Sequence, residues 1–481
     1  MSRTIWTPQP KQMEFLSRGE DEVLFGGAAG GGKSDALVCE ALRQVAFPRY
    51  KGIIFRRTVP QLKELIDKSR IYYKAAYPKA RFNESDHTWR FPSGAQILFR
   101  SMQYEHNKDD HQGLEYQFIG FDELTHFTYP QYSYLRSRNR TSDPNLQCYM
   151  RATANPGGVG HAWVKEMFIT AAEPMQTIWK TFQVQDPTGK IHKLRRSMVF
   201  IPSLVWDNPA LLNNNPEYLA SLAAMSDKDK AALLYGDWDS FTGQVFKLVN
   251  KPNPDNKNTH VIEPFTVPSH WQIWCSMDWG YSKPYSIHWY AVDEKSRLYC
   301  IRELYGCTGE PNIGVQQEPT YVARLMHEIE RQDPNLMNKK INRVGDPAIW
   351  STQGGESIGS LFERERIYFE KGVNDRLNGK MQVHHRLAFD ENGWPMLYIF
   401  DTCKHLIRTL PGLVYSETDP EDVDTDGEDH AYDELRYMCM RYVISAPLKK
   451  PEKPKPYDPL DPLDDYYRTV DVDRYSFYRK Y

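Results

Sequence analysis

Short apolar runs, separated by stretches with helical character, fill the first 205 residues of the chain. Runs of this length between helices are typical of strands in a mostly parallel sheet. The stretch 216–235 also has helical character and is predicted to form a small lid on this block. The predicted strands are Glu22–Phe25, Gly52–Arg56, Gln96–Arg100, Phe118–Asp122, Gln147–Ala152 and Met198–Pro202.

A second block has a different order of elements. Three predicted strands come first and helices separate the later strands, which predicts a mixed α/β sheet. The predicted strands are Trp271–Asp278, Ser286–Val292, Leu298–Leu304, Ile341–Gly345 and Leu397–Phe400, and the predicted helices are Pro319–Gln332 and Asp429–Val443.

These two blocks predict a four-part organisation. Segments rich in Gly, Asp, Asn and Pro lie between the blocks, and the end of the chain is rich in Lys, Pro, Asp and Tyr, a composition that does not form a packed core. The predicted parts are a first domain over 1–235, a linker over 236–265, a second domain over 266–447 and a flexible tail over 448–481.

Composition excludes several classes of protein. Hydrophobic residues make up 40% of the 481 residues and no stretch reaches the roughly 18 apolar residues of a membrane helix, so we expect no membrane association. The seven cysteines include no pair with two residues between its members, which argues against a zinc ribbon and favours a reducing cytosol. The net charge of −3 predicts that any contact with DNA is local.

The glycine-rich segment Gly27–Ser34 reads GAAGGGKS and lies between the first predicted strand and a predicted helix. Glycines such as Gly27 and Gly32 let backbone N–H groups converge on phosphate oxygens, and the helix adds its positive N-terminal end. Lys33 is expected to reach the outer phosphates and Ser34 to ligate Mg²⁺. The segment therefore predicts a nucleotide-binding loop.

An acidic pair, Asp122 and Glu123, ends the fourth predicted strand. Ligands bind at the carboxyl ends of strands in open α/β sheets, so Asp122 is expected to hold Mg²⁺ and Glu123 to polarise the attacking water. A pair of this kind alone is as typical of a solvated strand end. Together with the phosphate loop it favours ATP hydrolysis.

Other features of the first block have open interpretations. Thr153 and Asn155 are as typical of a turn as of a γ-phosphate contact. Gln12 has the donor and acceptor that adenine recognition needs, although a surface glutamine is the simpler interpretation. Hydrolysis also needs a cation at the γ-phosphate, and spacing does not choose among the arginines. The candidates are Arg56, Arg57, Arg136, Arg138 and Arg140.

Acidic residues also end elements of the second block. Asp278 and Asp346 follow strands, and Asp429 and Asp433 lie with His430 at the start of the last helix. Converging carboxylates hold two divalent cations roughly 4 Å apart in phosphodiester-cleaving enzymes, and oxygen ligands suit Mg²⁺ or Mn²⁺. The pattern alone favours ordinary helix-cap and turn residues.

Nine segments in a fixed order resemble the large terminase subunit of tailed bacteriophages, over about residues 5–445. Each segment alone is a weak signal, whereas their order and spacing are specific. They are TPQPKQMEFL (7–16), GGAAGGGKS (26–34), HQGLEYQFIGFDE (111–123), ATANP (152–156), IPSLVWDNPAL (201–211), YGDWDSFTGQVF (235–246), SMDWGYSKP (276–284), GDPA (345–348) and DHAYDELRY (429–437).

The resemblance implies a fold class and a set of site residues. The family joins a P-loop ATPase of the additional-strand type to a ribonuclease H-like nuclease. For the ATPase it implies Lys33 and Ser34 in the phosphate loop, the acids Asp122 and Glu123, a coupling motif from Thr153 to Asn155, and Gln12 at the adenine. For the nuclease it implies the metal ligands Asp278, Asp346 and Asp433, with His430 and Asp429 beside them.

The resemblance also implies partners and a location. The family uses ATP with Mg²⁺, and Mg²⁺ or Mn²⁺ for cutting, to package double-stranded viral DNA. Its partners are the small terminase subunit and the portal protein of the procapsid, on which it forms a homo-oligomeric ring. We therefore expect host cytoplasm at the procapsid vertex and absence from the mature virion.

One departure from the family concerns the phosphate loop. Many relatives carry an arginine there, whereas this chain has Ala28, Ala29, Gly30 and Gly31, so we expect the cation to come from elsewhere, with a neighbouring subunit in the ring as one source. Two alternatives remain open: a helicase–nuclease of DNA repair or recombination, and a non-enzymatic scaffold with decayed sites. The first needs a second motor domain, and the second is at odds with the intact Lys33, Asp122 and Glu123.

Overall fold

A computed structural model gives the fold. It describes residues 4–226, 229–239, 241, 243–352, 355–416, 419 and 421–444, so the predicted tail at 448–481 lies outside the described residues. All seven cysteines carry free thiols. None of the helices in the described ranges is long and apolar enough to cross a membrane.

A nine-stranded sheet organises the first half of the chain, in the order β3-β4-β5-β2-β6-β7-β1-β9-β8. Six neighbouring strands of this sheet run parallel, as predicted: β5, β2, β6, β7, β1 and β9. Strand β7 lies between β6 and β1. A strand inserted there is the additional strand that the resemblance implies. The strands are β1 Glu22–Gly27, β2 Lys51–Arg56, β3 Arg81–Asn83, β4 Thr88–Arg90, β5 Gln96–Ser101, β6 Phe118–Phe121, β7 Tyr149–Ala154, β8 Ile178–Gln185 and β9 Ile191–Ser203.

The parallel strands are buried on both faces because helices cover the sheet. Ile53 and Ile54, adjacent on β2, belong to separate hydrophobic cores on its two sides. The helix Val59–Ala76 places Leu62, Ile66 and Tyr73 in one of them at helical spacing. The helices of this half are α1 Pro10–Ser17, α2 Lys33–Glu40, α3 Val59–Ala76, α4 Tyr129–Arg138, α5 His161–Val164, α6 Pro209–Asn214 and α7 Glu217–Ala223.

A mixed seven-stranded sheet organises the second half, in the order β10-β16-β13-β12-β11-β14-β15. Its first three long strands pair antiparallel, and β14 then joins β11 in parallel. This is the ribonuclease H-like arrangement that the resemblance implies. The strands are β10 Val261–Ile262, β11 Gln272–Asp278, β12 Ser286–Val292, β13 Leu298–Tyr305, β14 Ile341–Gly345, β15 Glu370–Lys371 and β16 Leu397–Phe400.

Five helices pack on this second sheet around one hydrophobic core. The last of them has a buried face of Ala431, Leu435 and Met438 against β11 and β12. Burial of this face fixes which side of the helix meets the strand ends. The helices are α8 Pro319–Gln332, α9 Ile358–Arg364, α10 Arg376–Leu387, α11 Lys404–Thr409 and α12 His430–Arg441.

The structure agrees with some predicted elements and corrects others. In the predicted helical stretch 216–235, the described residues contain the helix α7 and a π-helical turn at Lys230–Leu234, in agreement with the predicted helical character. Strand β9 begins seven residues before the predicted Met198, because it continues as a hairpin with β8. The predicted linker 236–265 includes β10, which pairs with β16. The described residues belong to one compact unit, so the domain boundaries stay a prediction.

Candidate active sites

The glycine-rich loop lies between β1 and α2 and is shaped by residues without a side chain. Gly27, Gly30 and Gly32 have φ angles of +130°, +76° and +72°, a region that L-residues rarely adopt. At Gly31 an added Cβ would fall 2.0 Å from the Ser203 hydroxyl oxygen. Larger residues would strain the backbone at the first three positions and would clash with Ser203 at Gly31. The glycines thus give the loop the backbone freedom that phosphate binding needs.

Lys33 is the first residue of α2, and its side chain folds back over the loop. Its ammonium donates to the Ala28 carbonyl oxygen and, at 2.9 Å, to Asn155 Oδ1. Burial lowers the pKa of Lys33, and Glu123 and Asp122 oppose that change. The charge of Lys33 thus lies between the loop and the two acids, as the motif predicts.

Asp122 and Glu123 follow β6 at its carboxyl end. Asp122 Oδ1 accepts hydrogen bonds from Ser34 Oγ at 2.9 Å and from Thr153 Oγ1 at 2.7 Å. Glu123 accepts from the backbone N–H of Asn155 at 2.9 Å and from its side-chain amide at 2.8 Å. The ends of strands β6 and β7 therefore bring four predicted polar groups to the phosphate loop.

An arginine of the same chain completes this cluster. Arg56, the last residue of β2, contacts Asp122 Oδ2 and lies 4.0 Å from Glu123 Oε1. Arg136 instead contacts Glu22 at 3.2 Å, and Arg138 lies over the Tyr134 ring. Among the five arginines that spacing left open, Arg56 is the one that touches the acidic pair.

Two side-chain amides hold the loop from outside. Gln12 is 4% exposed and donates from Nε2 to the Gly32 carbonyl oxygen at 2.7 Å, so it is not a free surface glutamine. Asn208 donates to the Gly30 carbonyl oxygen at 2.8 Å. The sequence reasoning missed Asn208 as a site residue, although it lies within the segment at 201–211 that resembles the family. The role of Gln12 toward adenine stays a prediction.

The carboxylates of the second half meet at one edge of the mixed sheet. Strands β11 and β14 run parallel with Met277 opposite Gly345, so Asp278 and Asp346 leave the sheet side by side. Burial raises the pKa of Asp278 well above its ordinary value, and the charges of Asp433 and Asp346 raise it further. The structure thus brings together carboxylates that the sequence places far apart.

His430 and Asp429 lie beside this group at the start of α12. His430 Nδ1 is 3.4 Å from Asp278 Oδ2 and 4.0 Å from Asp429 Oδ1, and its Nε2 is 3.0 Å from Asn312 Oδ1. Burial, followed by repulsion from Asp433, raises the pKa of Asp429 to about 8. The side chain of Asp429 does not cap the helix, contrary to the simpler interpretation of this residue.

Protein groups hold the other two carboxylates. Arg376 Nη1 and Arg436 Nε lie 3.3 Å and 3.1 Å from Asp433 Oδ1. Asp346 Oδ1 accepts hydrogen bonds from the Tyr437 hydroxyl at 3.1 Å and the Ala348 N–H at 2.9 Å. Within the described ranges, no three His, Cys, Asp or Glu side chains are placed to hold a metal ion as they stand. The oxygen donors of this group nevertheless suit a divalent cation. Burial and mutual repulsion raise the pKa values of Asp278 and Asp429, and a bound cation would offset that repulsion.

A buried charged network lies beneath these carboxylates and was missed by sequence reasoning. His288, with no exposed surface, lies 2.8 Å from Glu434 Oε2 and 2.9 Å from Glu303 Oε1. Burial opposes the charged imidazole, but Glu434 and Glu303 raise its pKa well above the ordinary value. Because Glu434 follows Asp433, this network fixes α12 against the sheet. The one signal in the sequence is a histidine within an apolar strand.

The fold and the first site define a P-loop nucleotide-binding protein with a second, carboxylate-rich domain. Residues 24–250 match the family "Terminase large subunit, T4likevirus-type, N-terminal". The match covers 227 of the 481 residues, and it makes this region similar to the N-terminal part of large terminase subunits. No curated protein matches the chain.

Solved structures of low sequence identity are similar to this chain. The HK97 bacteriophage large terminase has 9% identity and a TM-score of 0.44, with 91% of this chain and 95% of that chain covered. The large terminase of a thermophilic bacteriophage, in complex with ADP, has 18% identity and a TM-score of 0.37, with 90% and 98% covered. The P22 large terminase nuclease domain has 13% identity and a TM-score of 0.31, with 42% and 93% covered.

Proposed function

We propose that this protein is the motor and nuclease of viral DNA packaging. ATP hydrolysis at the first sheet drives double-stranded DNA into a procapsid, and the second domain cuts concatemeric DNA to start and end packaging. One observation carries the motor assignment. The strand ends of β2, β6 and β7 place Arg56, Asp122, Glu123 and Asn155 against the phosphate loop. The match of residues 24–250 to the large terminase family supports the packaging role.

Each polar group of the ATPase site has a task that its contacts support. Lys33 and the loop N–H groups bind the phosphates, and Ser34 and Asp122, which already share a hydrogen bond, would hold Mg²⁺. Mg²⁺ neutralises charge on the phosphate oxygens when it is bound. Glu123 orients and deprotonates the attacking water. Asn155 touches both Lys33 and Glu123, so it links the state of the phosphates to the carboxylate.

In the second domain, Asp278, Asp346 and Asp433 would hold Mg²⁺ or Mn²⁺, with Asp429 and His430 at the margin. These ions supply water activation and stabilise the leaving oxygen in phosphodiester cleavage. The chain itself positions the carboxylates: two leave adjacent strand ends, and the third is fixed by Arg436. His430, 3.4 Å from Asp278, is placed to exchange a proton with this centre.

The partners and the location belong to the same proposal. They are viral duplex DNA, the portal protein, the small terminase subunit and further copies of the chain in a ring on the portal. The protein then acts in the host cytoplasm at the procapsid vertex and does not stay in the mature virion. A helicase–nuclease of DNA repair or recombination is disfavoured, because the described residues contain a single sheet of the P-loop type where such enzymes need two motor domains.

ATPase and nuclease assays on the full chain test the proposal. We expect ATP turnover that procapsids and DNA increase, and packaging of DNA into those procapsids. We also expect plasmid digestion with Mn²⁺ that Asp278→Ala removes. Duplex unwinding without packaging would assign a helicase instead. Equal cutting by wild type and Asp278→Ala would overturn the nuclease assignment, and no turnover at all would favour a scaffold.

A further inference from the structure

The hairpin of β8 and β9 extends beyond the main sheet. The two strands pair from Ile178 opposite Met198 to Gln185 opposite Ile191. Strand β9, in contrast, pairs with β1 only from Met198 onward. Residues 178–197 therefore form a two-stranded ribbon outside the parallel sheet, and most of their side chains are solvent-exposed.

This ribbon is basic in a protein whose net charge is −3. Its residues 178–197 include five Lys and Arg against one acid, Asp186. Three of the basic residues, Lys190, Lys193 and Arg195, are exposed and have no acidic partner among the described residues. The ribbon thus carries positive charge that the structure does not neutralise.

Two of these basic residues share one face of the ribbon with an aromatic ring, and Lys190 lies in the turn, one residue before β9. Cross-strand pairs lie on the same face, so Lys193 opposite Gln183 and Arg195 opposite Thr181 line one side. Trp179 lies on that side as well, and the Arg195 guanidinium lies 4.6 Å from its ring centroid. The ring holds this charge in place while leaving its N–H groups available.

Three cations of the ATPase half outside the hairpin have acidic partners. Arg56 contacts Asp122, Arg57 lies 3.5 Å from Asp426, and Lys68 lies 3.0 Å from Asp35. These ion pairs set the three cations apart from the three exposed basic residues of the hairpin, which have no such partners among the described residues.

We propose that the basic surface of the β8–β9 hairpin, formed by Lys193 and Arg195 on one face and Lys190 in the turn, binds the phosphate backbone of duplex DNA. This inference rests on the proposed DNA motor. A two-stranded β-ribbon fits a groove of B-form DNA, and a motor that moves along any sequence needs phosphate rather than base contacts. Each phosphate that a cation neutralises releases counterions, so the contact is salt-dependent.

The opposite face of the hairpin supplies a matched comparison. It exposes Val184 and Leu194, with 51% and 57% of their surfaces accessible. The cations at its strand positions, Lys180 and Arg196, have the acidic partners Glu310 and Glu22. Apolar side chains of this kind suit a protein surface rather than phosphates. Changing one face at a time therefore separates the two kinds of partner.

Equilibrium binding of a fluorescent duplex of random sequence tests the proposal, with the full chain in EDTA so that no cutting occurs. We expect the triple change Lys190→Gln, Lys193→Gln and Arg195→Gln to reduce the slope of log K against log [KCl] by about 2–3, at roughly 0.9 per phosphate. The control changes three exposed lysines outside the hairpin, and the apolar variant is Val184→Thr with Leu194→Thr. The three control lysines are Lys79, Lys340 and Lys404.

The outcomes separate this inference from the function on which it rests. Wild-type slopes in the control and the apolar variant, with a reduced slope in the basic variant, support the hairpin contact. An unchanged slope in the basic variant overturns it while leaving the motor intact. The hairpin contact is also overturned, with the motor intact, if sedimentation shows that the basic variant alters self-association rather than DNA binding. Failure of the wild type to bind duplex DNA in the assay would overturn both the inference and the proposed function.

Discussion

The two proposed catalytic centres of this chain handle their negative charge in opposite ways. In the ATPase site, Arg56, Lys33 and two hydroxyl groups already surround Asp122 and Glu123. In the nuclease site, burial and mutual repulsion raise the pKa values of Asp278 and Asp429. The first centre is balanced by the protein itself, whereas the second needs cations before all its carboxylates can be charged.

The largest expected effect is the loss of one activity with the other intact. Replacing Glu123 with Gln keeps the size of the side chain and one of its two accepted hydrogen bonds but removes the base, so the ATPase kcat should fall by about 10²–10⁴-fold. Nucleotide binding and Mn²⁺-dependent plasmid cutting should stay near wild type. Steady-state ATPase, nucleotide titration and digestion of the same preparation check this. A parallel loss of cutting would show that the two centres are not independent.

The reciprocal change is Asp278→Asn. It removes a proposed metal ligand worth several kcal/mol, so plasmid cutting should fall by at least about 10²-fold while ATP turnover stays. The same change replaces a buried carboxyl group whose ionisation is opposed by burial and by its acidic neighbours, so the metal-free protein should melt at a higher temperature than wild type. Scanning calorimetry in EDTA provides that second measurement. A lower melting temperature would contradict the charge imbalance in the second centre.

Sequence predicted these two centres to different degrees, for a physical reason. The phosphate loop and the pair Asp122–Glu123 are local patterns whose chemistry follows from a strand, a turn and a helix. Asp278, Asp346 and Asp433 come together only because β11 pairs in parallel with β14 and α12 packs on both. No local pattern encodes that convergence, so the resemblance to a family had to supply it.

Details that depend on side-chain packing were beyond sequence reasoning altogether. Spacing along the chain did not choose among five candidate arginines. The parallel pairing of β2 with β6 is what brings Arg56 into contact with Asp122. The hairpin of β8 and β9 was missed because its polar and charged strands lack the apolar signal of a buried strand. His288 was missed because its two partners, Glu303 and Glu434, are distant in the chain.

A third change tests whether the protein itself supplies the cation of the ATPase centre. Arg56→Gln should lower kcat by about 10²-fold, as expected for loss of one preorganised donor at the developing charge. Arg138→Gln is the matched control, because Arg138 lies over Tyr134 rather than at the acids. A larger loss for Arg138→Gln, rescued by mixing with Lys33→Ala protein, would instead show that a neighbouring subunit supplies the arginine.

The charge imbalance of the nuclease centre also predicts a pH dependence of stability. Asp429 has a folded-state pKa of about 8, above its ordinary value of 3.8, so its contribution to stability is complete below 3.8 and is lost as the pH rises through 8. The metal-free protein should therefore become less stable as the pH rises from 3.8 to about 8. Each kcal/mol of lost stability should lower its Tm by roughly 2–4 °C. Asp429→Asn should flatten this dependence, as should saturating Mg²⁺. If the stability of Asp429→Asn depended on pH as that of the wild type does, the assignment of this dependence to Asp429 would be wrong.

The smallest expected effect concerns the ion pair that joins the two halves. Arg57 follows Arg56 in the chain, and its guanidinium lies 3.5 Å from Asp426, three residues before Asp429. Half of the Asp426 side chain is exposed, so solvent screens the pair and its coupling energy should be about 0–1 kcal/mol. A double-mutant cycle with Arg57→Ala and Asp426→Ala measures that energy. Both activities should stay within about fivefold of wild type, since 1 kcal/mol is a factor of about five in rate. A coupling well above this range, with ATPase and nuclease changing together, would make the pair a link between the centres.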